Sequence, residues 1–362
     1  MGNSGVALVA LTRGGARLAS RLAAALPAAR CYAPPRWLAE AGPSARPIEG
    51  DLASLVGHLF TSRSDLVLFA AVGVAVRLVA PHLRDKRVDP AVVAVDDAGR
   101  FAVAVLSGHA GGANALAGRV AAILGATPVV TTASEAHGLP ALDLLGQALG
   151  WRVERAAPLK TVSAALVNGE TVGLVQEAGE RDWWPGALPP NVACFARVEQ
   201  LAAAGCPGLV VTDRELGPRL DQAATRWVVY RPRTLALGLG ASSGVPADEI
   251  EALARDACAA GGLAWDSLAV AATLDRKLGE PGLRAFARRH GLPLRGYAAA
   301  ALEAVAVPHP SSTVRAHVGT PSVCEAAALL AAGGGPLVVG KRKSAHATVA
   351  IARRREVLSA EC

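Results

Sequence analysis

Paired cysteines, aromatic residues and long apolar runs are all scarce in this 362-residue sequence. The six cysteines form no C-x-x-C pair, which argues against a disulfide framework and against a structural zinc site. Aromatic residues make up 4% of the chain and no segment carries a dense Arg/Lys face, so we expect no nucleic-acid partner. No apolar run approaches the ~18 residues that a membrane span needs, so no membrane partner is predicted.

Basic residues are in surplus, with 37 Lys and Arg against 30 Asp and Glu and a formal net charge of +7. Such a surplus attracts anionic partners. A small substrate that bears several carboxylates or phosphates would account for it as well as a nucleic acid would. The N-terminal residues lack the basic region and cleavage site of a signal peptide, so a cytoplasmic location is expected.

The order of apolar segments predicts a multi-domain α/β fold, because 362 residues are too many for one ordinary core. In residues 1–150, strand-like apolar runs alternate with Ala-rich helical segments, which is typical of a mostly parallel, Rossmann-like sheet. The pattern weakens over 151–230, where we predict a smaller middle domain. A second α/β domain, with three layers, is predicted over 231–362.

Individual elements follow from the spacing of apolar residues. Residues 91–95 and 101–106 flank a four-residue turn and predict a hairpin. Residues 111–124 and 141–149 each predict a helix. In the last domain we predict strands at 234–240, 268–273, 337–339 and 348–351, and helices ending at Ala260, Arg289 and Ala332.

The loop Ser107-Gly108-His109-Ala110-Gly111-Gly112-Ala113-Asn114 lies between a predicted strand and a predicted helix. Its glycines let the backbone approach a ligand, and the helix behind it presents amides and the positive end of its dipole. Histidine exchanges protons near neutral pH, and Ser107 and Asn114 add hydrogen-bonding groups. The pattern predicts an acyl-chemistry or oxyanion site, with a plain tight turn as the alternative. Because the spacing is neither G-x-G-x-x-G nor a Walker A, it gives little support to a nucleotide site.

Two further groups of polar residues belong to the first domain. Gly73, Arg77, Lys86 and Asp89 form one of them, in which Arg77 stands among apolar residues. An unpaired charge is costly there, so Arg77 either holds a carboxylate or pairs with Asp89. Thr131 and Thr132 follow a predicted strand, where doubly wound sheets place ligands. The β-propensity of threonine explains the pair equally well.

The last domain contributes a third set. Lys277 and Glu280 lie in a predicted strand-to-helix loop, where they either bind a carbonyl or carboxylate or are simply solvated. The remaining candidates occupy glycine turns or the ends of predicted elements, and they are Gly238, Gly240, Ser322, Glu325 and Lys341.

Together these segments resemble the CbiG family, the cobalt-precorrin-5A hydrolases of cobalamin biosynthesis. In the first domain the matching segments are AVGVAVRLVAP (71–81), DKRVDPAV (85–92), LSGHAGGAN (106–114) and VTTA (130–133). In the last domain, which is similar to the CobE-like module, they are GLG (238–240), KLGEPGL (277–283), SVCEAA (322–327) and residues 341–351. The chain departs from the family pattern at Ala241-Ser242, where a Cys-Arg-type pair is common, and at Ser134-Glu135, where Asp is common.

The resemblance implies a hydrolase that opens the ring-A δ-lactone of cobalt-precorrin-5A and releases acetaldehyde, giving cobalt-precorrin-5B. His109 would then be the general base, and Ser107, Asn114 and the amides of Gly111 and Gly112 would hold the oxyanion. The cations Arg77, Lys86, Lys277 and Lys341 would hold substrate carboxylates. The further binding candidates are Gly73, Thr131, Thr132, Gly238, Gly240, Glu280, Ser322 and Glu325.

The expected partner is therefore a polycarboxylate tetrapyrrole. We expect no cofactor and no protein-bound metal, since any cobalt belongs to the substrate, and we carry a homodimer as an expectation. Two alternatives stay open at this point. One is a tetrapyrrole-binding carrier without catalysis, and the other is a sugar- or nucleotide-phosphate enzyme that uses the glycine loop as an anion cradle.

Overall fold

A computed structural model describes residues 5–26, 28–85, 88–109, 111–310 and 321–355 of the chain. The chain forms two compact units that divide between Leu144 and Leu145. The described residues build one sheet in the first unit and two in the second, so the predicted multi-domain α/β class is confirmed. Within the described ranges, no helix is both long enough and apolar enough to cross a membrane.

The first unit is a seven-stranded sheet covered by helices. Its elements are β1 (Val6–Ala10), α1 (Arg13–Ala25), β2 (Arg30–Ala33), α2 (Leu38–Ala41), β3 (Arg46–Pro47), α3 (Leu52–Thr61), β4 (Asp65–Phe69), α4 (Val72–Val79), β5 (Val92–Val95), β6 (Phe101–Leu106), α5 (Ala113–Leu124), β7 (Thr127–Val129) and α6 (Ala133–Ala136). The strand order is β3-β2-β1-β4-β5-β6-β7. The inner strands are buried on both faces, which explains their continuous apolar sequences.

The predicted hairpin is confirmed and sets the polarity of this sheet. β5 and β6 pair antiparallel, with Val92 opposite Leu106, whereas every other neighbouring pair in the sheet is parallel. β6 and β7 therefore end at the edge where β1, β4 and β5 begin. Loops that follow β6 and β7 lie at the opposite edge from loops that follow β1, β4 and β5.

Helix boundaries in this unit have local causes. The Thr12 side chain accepts the Gly15 amide at 3.0 Å and caps α1. Gly125, at φ +71°, ends α5 as the sequence predicts. The predicted helix over 141–149 is wrong, because these residues form turns and one 3-10 turn at Gln147–Leu149. Gly146 and Gly150 flank that turn with positive φ, which interrupts helical geometry.

The second unit contains a middle sheet and a C-terminal sheet. Its elements are β8 (Arg152–Arg155), α7 (Leu159–Val167), β9 (Val172–Gln176), β10 (Val192–Phe195), α8 (Val198–Ala204), β11 (Gly208–Val211), α9 (Pro218–Ala224), β12 (Trp227–Arg231), β13 (Leu235–Ala241), α10 (Ala247–Gly261), β14 (Leu268–Leu274), α11 (Pro281–Arg289), β15 (Leu294–Tyr297), α12 (Ala299–Glu303), α13 (Val323–Ala331), β16 (Leu337–Lys343) and β17 (Ala347–Arg353). The sheet orders are β10-β9-β11-β12-β8 and β15-β14-β13-β17-β16.

The C-terminal sheet is the centre of three layers, as predicted. On one face, Leu237 and its neighbours pack against Ile250 of α10 and Phe286 of α11. On the other face, Ala236 packs with Leu302 of α12 and Ala328 of α13. β17 is antiparallel to both β13 and β16, so the ends of β13 and β16 and the start of β17 meet at one edge.

Asp213 joins the middle sheet to the C-terminal sheet. It is 1% exposed, and its carboxylate accepts two hydrogen bonds from Arg353, at 2.7 and 2.9 Å, and one from Thr234 at 2.8 Å. Its carbonyl oxygen accepts the Ala264 amide. The two sheets therefore belong to one compact unit, and the domain limits 1–150, 151–230 and 231–362 stay a prediction.

Gly238 is a packing position that we predict to be intolerant of a side chain. A Cβ built there would overlap the carbonyl oxygen of Cys324 on α13, whereas Gly279 has open space around it. We expect Gly238→Ala to lower the free energy of unfolding by about 1–3 kcal/mol because α13 must shift. Gly279→Ala should change it by less than about 0.5 kcal/mol. Urea unfolding measures both, and equal midpoints would contradict the packing.

Glu251 on α10 predicts a pH dependence of stability. Hydrogen bonds from His290, then Arg255 and Arg289, lower the pKa of Glu251 from 4.5 to about 2. A lowered pKa stabilises the folded state above pH 4.5, and that contribution is lost as the pH falls through about 2. Glu251→Gln should therefore cost about 1 kcal/mol at pH 7, and the difference should vanish in acid. Urea unfolding at several pH values measures it, and a pH-independent difference would contradict it.

Candidate functional site

The loop after β6 is a tight turn that is held by hydrogen bonds to its own carbonyl groups. Ser107 has φ +59°, which is uncommon for a residue with a side chain. A Cβ on Gly111 would overlap the Ser107 side chain, so only glycine allows this path. The amides of Gly112, Ala113 and Asn114 donate to loop carbonyls at 2.9–3.0 Å. The expected oxyanion role of the Gly112 amide is therefore corrected, because that amide donates to the His109 carbonyl.

Side chains from the loops after β6 and β7 meet at one edge of the sheet. His109 Nε2 lies 3.1 Å from the hydroxyl of Ser134, and the Asn114 amide donates to Thr132 Oγ1 at 3.3 Å. The Ser107 Oγ is buried and finds no hydrogen-bond partner among the described residues. The structure thus brings three predicted residues, His109, Asn114 and Thr132, together with the hydroxyl of Ser107, the type of group that a ligand would satisfy.

Two further observations complete this cluster. Thr131 is exposed at the same edge, beside the half-buried Thr132. Sequence reasoning gave Ser134 no role, although it follows the threonine pair by only two residues. The signal was available, since β6 and β7 are parallel neighbours and residues just beyond their ends must face each other.

The second predicted group does not assemble as a unit. The Asp89 carboxylate is buried and accepts the Arg84 amide at 3.1 and 3.3 Å. It thereby fixes the segment that leads into β5, next to the Ser107 loop. Gly73 lies in the first turn of α4, after β4, and hence at the opposite edge. Arg77 is exposed, pairs with no described acid and folds back toward Gly73. Lys86 lies outside the described residues.

An internal carboxylate occupies the anion position at the opposite edge. The strand order reverses between β1 and β4, where doubly wound sheets bind phosphates at a helix N-terminus. There the Asp97 carboxylate accepts the Gly15 amide at 3.1 Å and the Thr12 hydroxyl. Because Asp97 fills the N-terminus of α1, this crevice is closed to a phosphate, while the phosphate alternative at the glycine loop stays untested.

The second unit contains a cleft of about 500 Å³ at the C-terminal edge of β13. Its lining residues are Gly240, Ala241, Ser242, Ser322, Val323, Cys324, Lys341, Lys343, Ser344, Ala345, His346, Ala347 and Thr348. The predicted residues Gly240, Ser322 and Lys341 are therefore brought together. Gly238 is buried beneath α13 and does not line the cleft. Burial raises the pKa of the Cys324 thiol, so this cysteine is not activated as a nucleophile.

Lys277 and Glu280 connect the loops that follow β13 and β14. Lys277 Nζ lies 3.2 Å from Ser243 Oγ and 3.4 Å from Glu280 Oε2. Glu280 Oε1 accepts the Gly244 amide at 2.7 Å. The predicted pair is thus a partly buried ion pair that holds two loops together.

Glu325, a predicted binding residue, is fully buried and accepts three hydrogen bonds. The donors are the Lys341 amide at 3.0 Å, the His309 amide at 3.2 Å and His309 Nδ1 at 2.7 Å. Sequence reasoning missed His309, because the fold alone brings it to α13. Across the described ranges, no three His, Cys, Asp or Glu side chains are grouped as metal ligands would be.

Three family models match successive parts of the chain. They are "Cobalamin synthesis G N-terminal" over residues 54–135, "Cobalamin biosynthesis central region" over 140–232 and "Cobalamin synthesis G C-terminus" over 235–352. These matches follow the chain in the order that the resemblance implies.

Two relatives that match most of this chain carry the same enzyme name. The chain is 37% identical over 306 residues to the cobalt-precorrin-5A hydrolase of Priestia megaterium, covering 84% of this chain and 82% of that protein. It is 35% identical over 338 residues to the cobalt-precorrin-5A hydrolase of Salmonella typhimurium, covering 90% and 91%. A crystal structure of a cobalamin biosynthesis protein G homolog from Sulfolobus solfataricus aligns over 98% of both chains, at 18% identity and a TM-score of 0.37.

The filled N-terminus of α1 predicts that phosphate does not bind at the β1/β4 crevice while Asp97 is in place. Asp97→Ala frees the helix amides and should gain weak phosphate binding there. Inorganic phosphate at about 10 mM should therefore raise the melting temperature of Asp97→Ala more than that of the wild-type protein, because ligand binding stabilises a fold only where a site is open. Thermal unfolding measures both, and an equal shift in the two proteins would contradict the closed crevice.

Proposed function

This chain belongs to the CbiG family and is a hydrolase of cobalamin biosynthesis, and we propose that it converts cobalt-precorrin-5A to cobalt-precorrin-5B. In this reaction the enzyme opens the ring-A δ-lactone and releases acetaldehyde. One observation carries the proposal: a chain that matches two cobalt-precorrin-5A hydrolases over most of its length holds His109 against Ser134 at one sheet edge. In the same loop lies the buried hydroxyl of Ser107, which no described residue hydrogen-bonds.

Lactone opening needs a base for water and donors for the oxyanion. We assign the base to His109, since the neutral hydroxyl of Ser134 is the one side chain among the described residues that hydrogen-bonds its Nε2. Ser107 Oγ and the Asn114 side-chain amide are the donors, because both lie at the same loop and neither is consumed by backbone hydrogen bonds. The positive φ of Ser107 holds its hydroxyl in this position, an arrangement that recurs at functional sites.

Acetaldehyde release is a separate chemical step. Opening of the lactone gives a carboxylate and a hydroxyl on the carbon that carries the methyl group. Loss of the hydroxyl proton lets the neighbouring C–C bond break, and the carbonyl of acetaldehyde forms. The electron pair of that bond moves into the conjugated macrocycle, which takes up one proton, so the two steps together consume one water.

Charge and composition are consistent with this substrate. A polycarboxylate macrocycle suits a chain of net charge +7, and Lys341 and Lys343 supply cations at the cleft of the second unit. The proposal assigns no cofactor and no resident metal to the protein, since cobalt enters with the substrate. It includes a cytoplasmic location and a homodimer.

The direct test is turnover of cobalt-precorrin-5A by the purified protein, with acetaldehyde measured by reduction with a coupled dehydrogenase. We expect His109→Gln to lower kcat by about 10²–10⁴-fold, the usual contribution of a general base. His137→Gln, an exposed histidine on the same side of the chain's first unit, should leave kcat unchanged within about twofold.

Two results would contradict this account. Binding of the substrate without acetaldehyde release by the wild-type protein would indicate a carrier rather than an enzyme. Wild-type turnover by the His109→Gln variant would keep the activity but remove His109 as the base.

A further inference from the structure

His309 and Glu325 form a carboxylate–imidazole pair with one nitrogen left open. Nδ1 lies 2.7 Å from Oε1 of Glu325, which is fully buried, while the His309 side chain is 63% exposed. No described residue hydrogen-bonds Nε2. A buried carboxylate on Nδ1 fixes the ring and stabilises the imidazolium that forms when Nε2 takes a proton.

A second carboxylate–imidazole pair in the same domain shows what a purely structural one looks like. His290 Nε2 lies 2.9 Å from Glu251, but its side chain is only 14% exposed and packs edge-on against Trp265. Glu251 is also held by Arg255 and Arg289. The two pairs differ in solvent access, because the ring of His309 is exposed whereas the ring of His290 is enclosed.

The open pair borders the cleft of the second unit. The ring of His309 lies against β16 at Gly340, with Cε1 3.1 Å from the position of a Cβ there. The next residue, Lys341, lines the cleft and donates its amide to the same Glu325 carboxylate. On α13, Cys324 precedes Glu325 and also lines the cleft. His309 is therefore fixed by the two elements that form this wall of the cleft.

We propose that His309, positioned by Glu325, is a second acid–base residue, which removes the hydroxyl proton in the fragmentation step once the ring-opened intermediate is bound at the cleft of the second unit. This inference rests on the proposed function. Nε2 takes the proton, the O–H electron pair becomes the carbonyl of acetaldehyde, and the C–C bond to the macrocycle breaks. The imidazolium then returns the proton to the macrocycle carbon, so the pair is regenerated and no other reactant is consumed.

The division of labour between the two histidines follows from their partners. An alcohol and water are similarly weak acids, and at His309 the Glu325 carboxylate offsets the positive charge that the ring gains. His109 faces only the hydroxyl of Ser134, but its loop provides the oxyanion donors that lactone opening requires. Lys341 and Lys343, which line the neighbouring cleft, suit the carboxylate that the first step creates.

The test separates the two steps by single turnover of cobalt-precorrin-5A, with acetaldehyde and the ring-opened hydroxy acid measured in parallel, the latter by mass spectrometry. We expect His309→Gln to open the lactone at nearly the wild-type rate and to accumulate the hydroxy acid. Its acetaldehyde release should fall by about 10²–10⁴-fold. Added imidazole should partly restore release in His309→Ala, which a loss of folding would not allow. His290→Gln is the matched control and should release acetaldehyde at the wild-type rate.

Glu325→Gln keeps a hydrogen-bond acceptor but removes the charge. It should slow acetaldehyde release by about tenfold and move the acid limb of its pH profile, without slowing lactone opening. Glu325 faces His309 directly, and the titratable groups that α13, β16 and the following loop place in the neighbouring cleft are Cys324, Lys341, Lys343 and His346, so Lys341→Gln and His346→Gln profiles show whether another group sets that limb.

The outcomes are distinguishable. If the wild-type protein releases no acetaldehyde, the proposed function fails and this inference fails with it. If the wild-type protein turns over and His309→Gln releases acetaldehyde within about threefold of its rate, the inference alone is overturned. An equal loss of both steps in His309→Gln, without imidazole rescue, would also overturn it.

Discussion

The antiparallel pairing of β5 with β6 is the constraint on which the first unit depends. It turns the last two strands around, so the loops after β6 and β7 share the edge at which the inner parallel strands begin. The glycine loop, His109 and the threonine pair therefore meet away from the β1/β4 crevice, where a doubly wound sheet would ordinarily bind its ligand. Asp97 occupies that crevice, so the fold closes one position and opens another.

The second unit uses buried carboxylates in two ways. Asp213 connects two sheets through the half-buried Arg353 and the buried Thr234. Glu325 is equally buried, but one of its three donors is an accessible imidazole. Burying a carboxylate is costly unless hydrogen bonds satisfy it. A buried carboxylate that accepts a hydrogen bond from an exposed ring therefore indicates chemistry more strongly than a carboxylate that is merely buried.

Much of this could be predicted from the sequence, because apolar runs and glycine turns are local signals. The hairpin, the end of α5 at Gly125 and the three-layer C-terminal domain all followed from such patterns. The helix predicted at 141–149 failed because Gly146 and Gly150 favour positive φ over helical geometry. Ser134 and His309 escaped prediction since only strand direction and long-range packing bring them to His109 and Glu325.

Residues that look equivalent in the sequence also occupy different environments in the structure. Gly238 and Gly240 stand two residues apart on the same face of β13, yet Gly238 is covered by α13, whereas Gly240, nearer the end of the strand, lines the cleft. Arg77 and Gly73 matched the family motif, but Gly73 lies in the first turn of α4, at the edge opposite the Ser107 loop, and the Arg77 guanidinium folds back toward it. Such differences depend on tertiary geometry that spacing does not encode.

The central claim is that the lactone reacts at the edge formed by the β6 and β7 loops. A crystal structure of the His109→Gln variant with bound cobalt-precorrin-5A tests it most directly. The account predicts the lactone carbonyl oxygen about 3 Å from Ser107 Oγ and the Asn114 side-chain amide. A lactone bound instead at the β1/β4 crevice, beside Thr12 and Asp97, would contradict it.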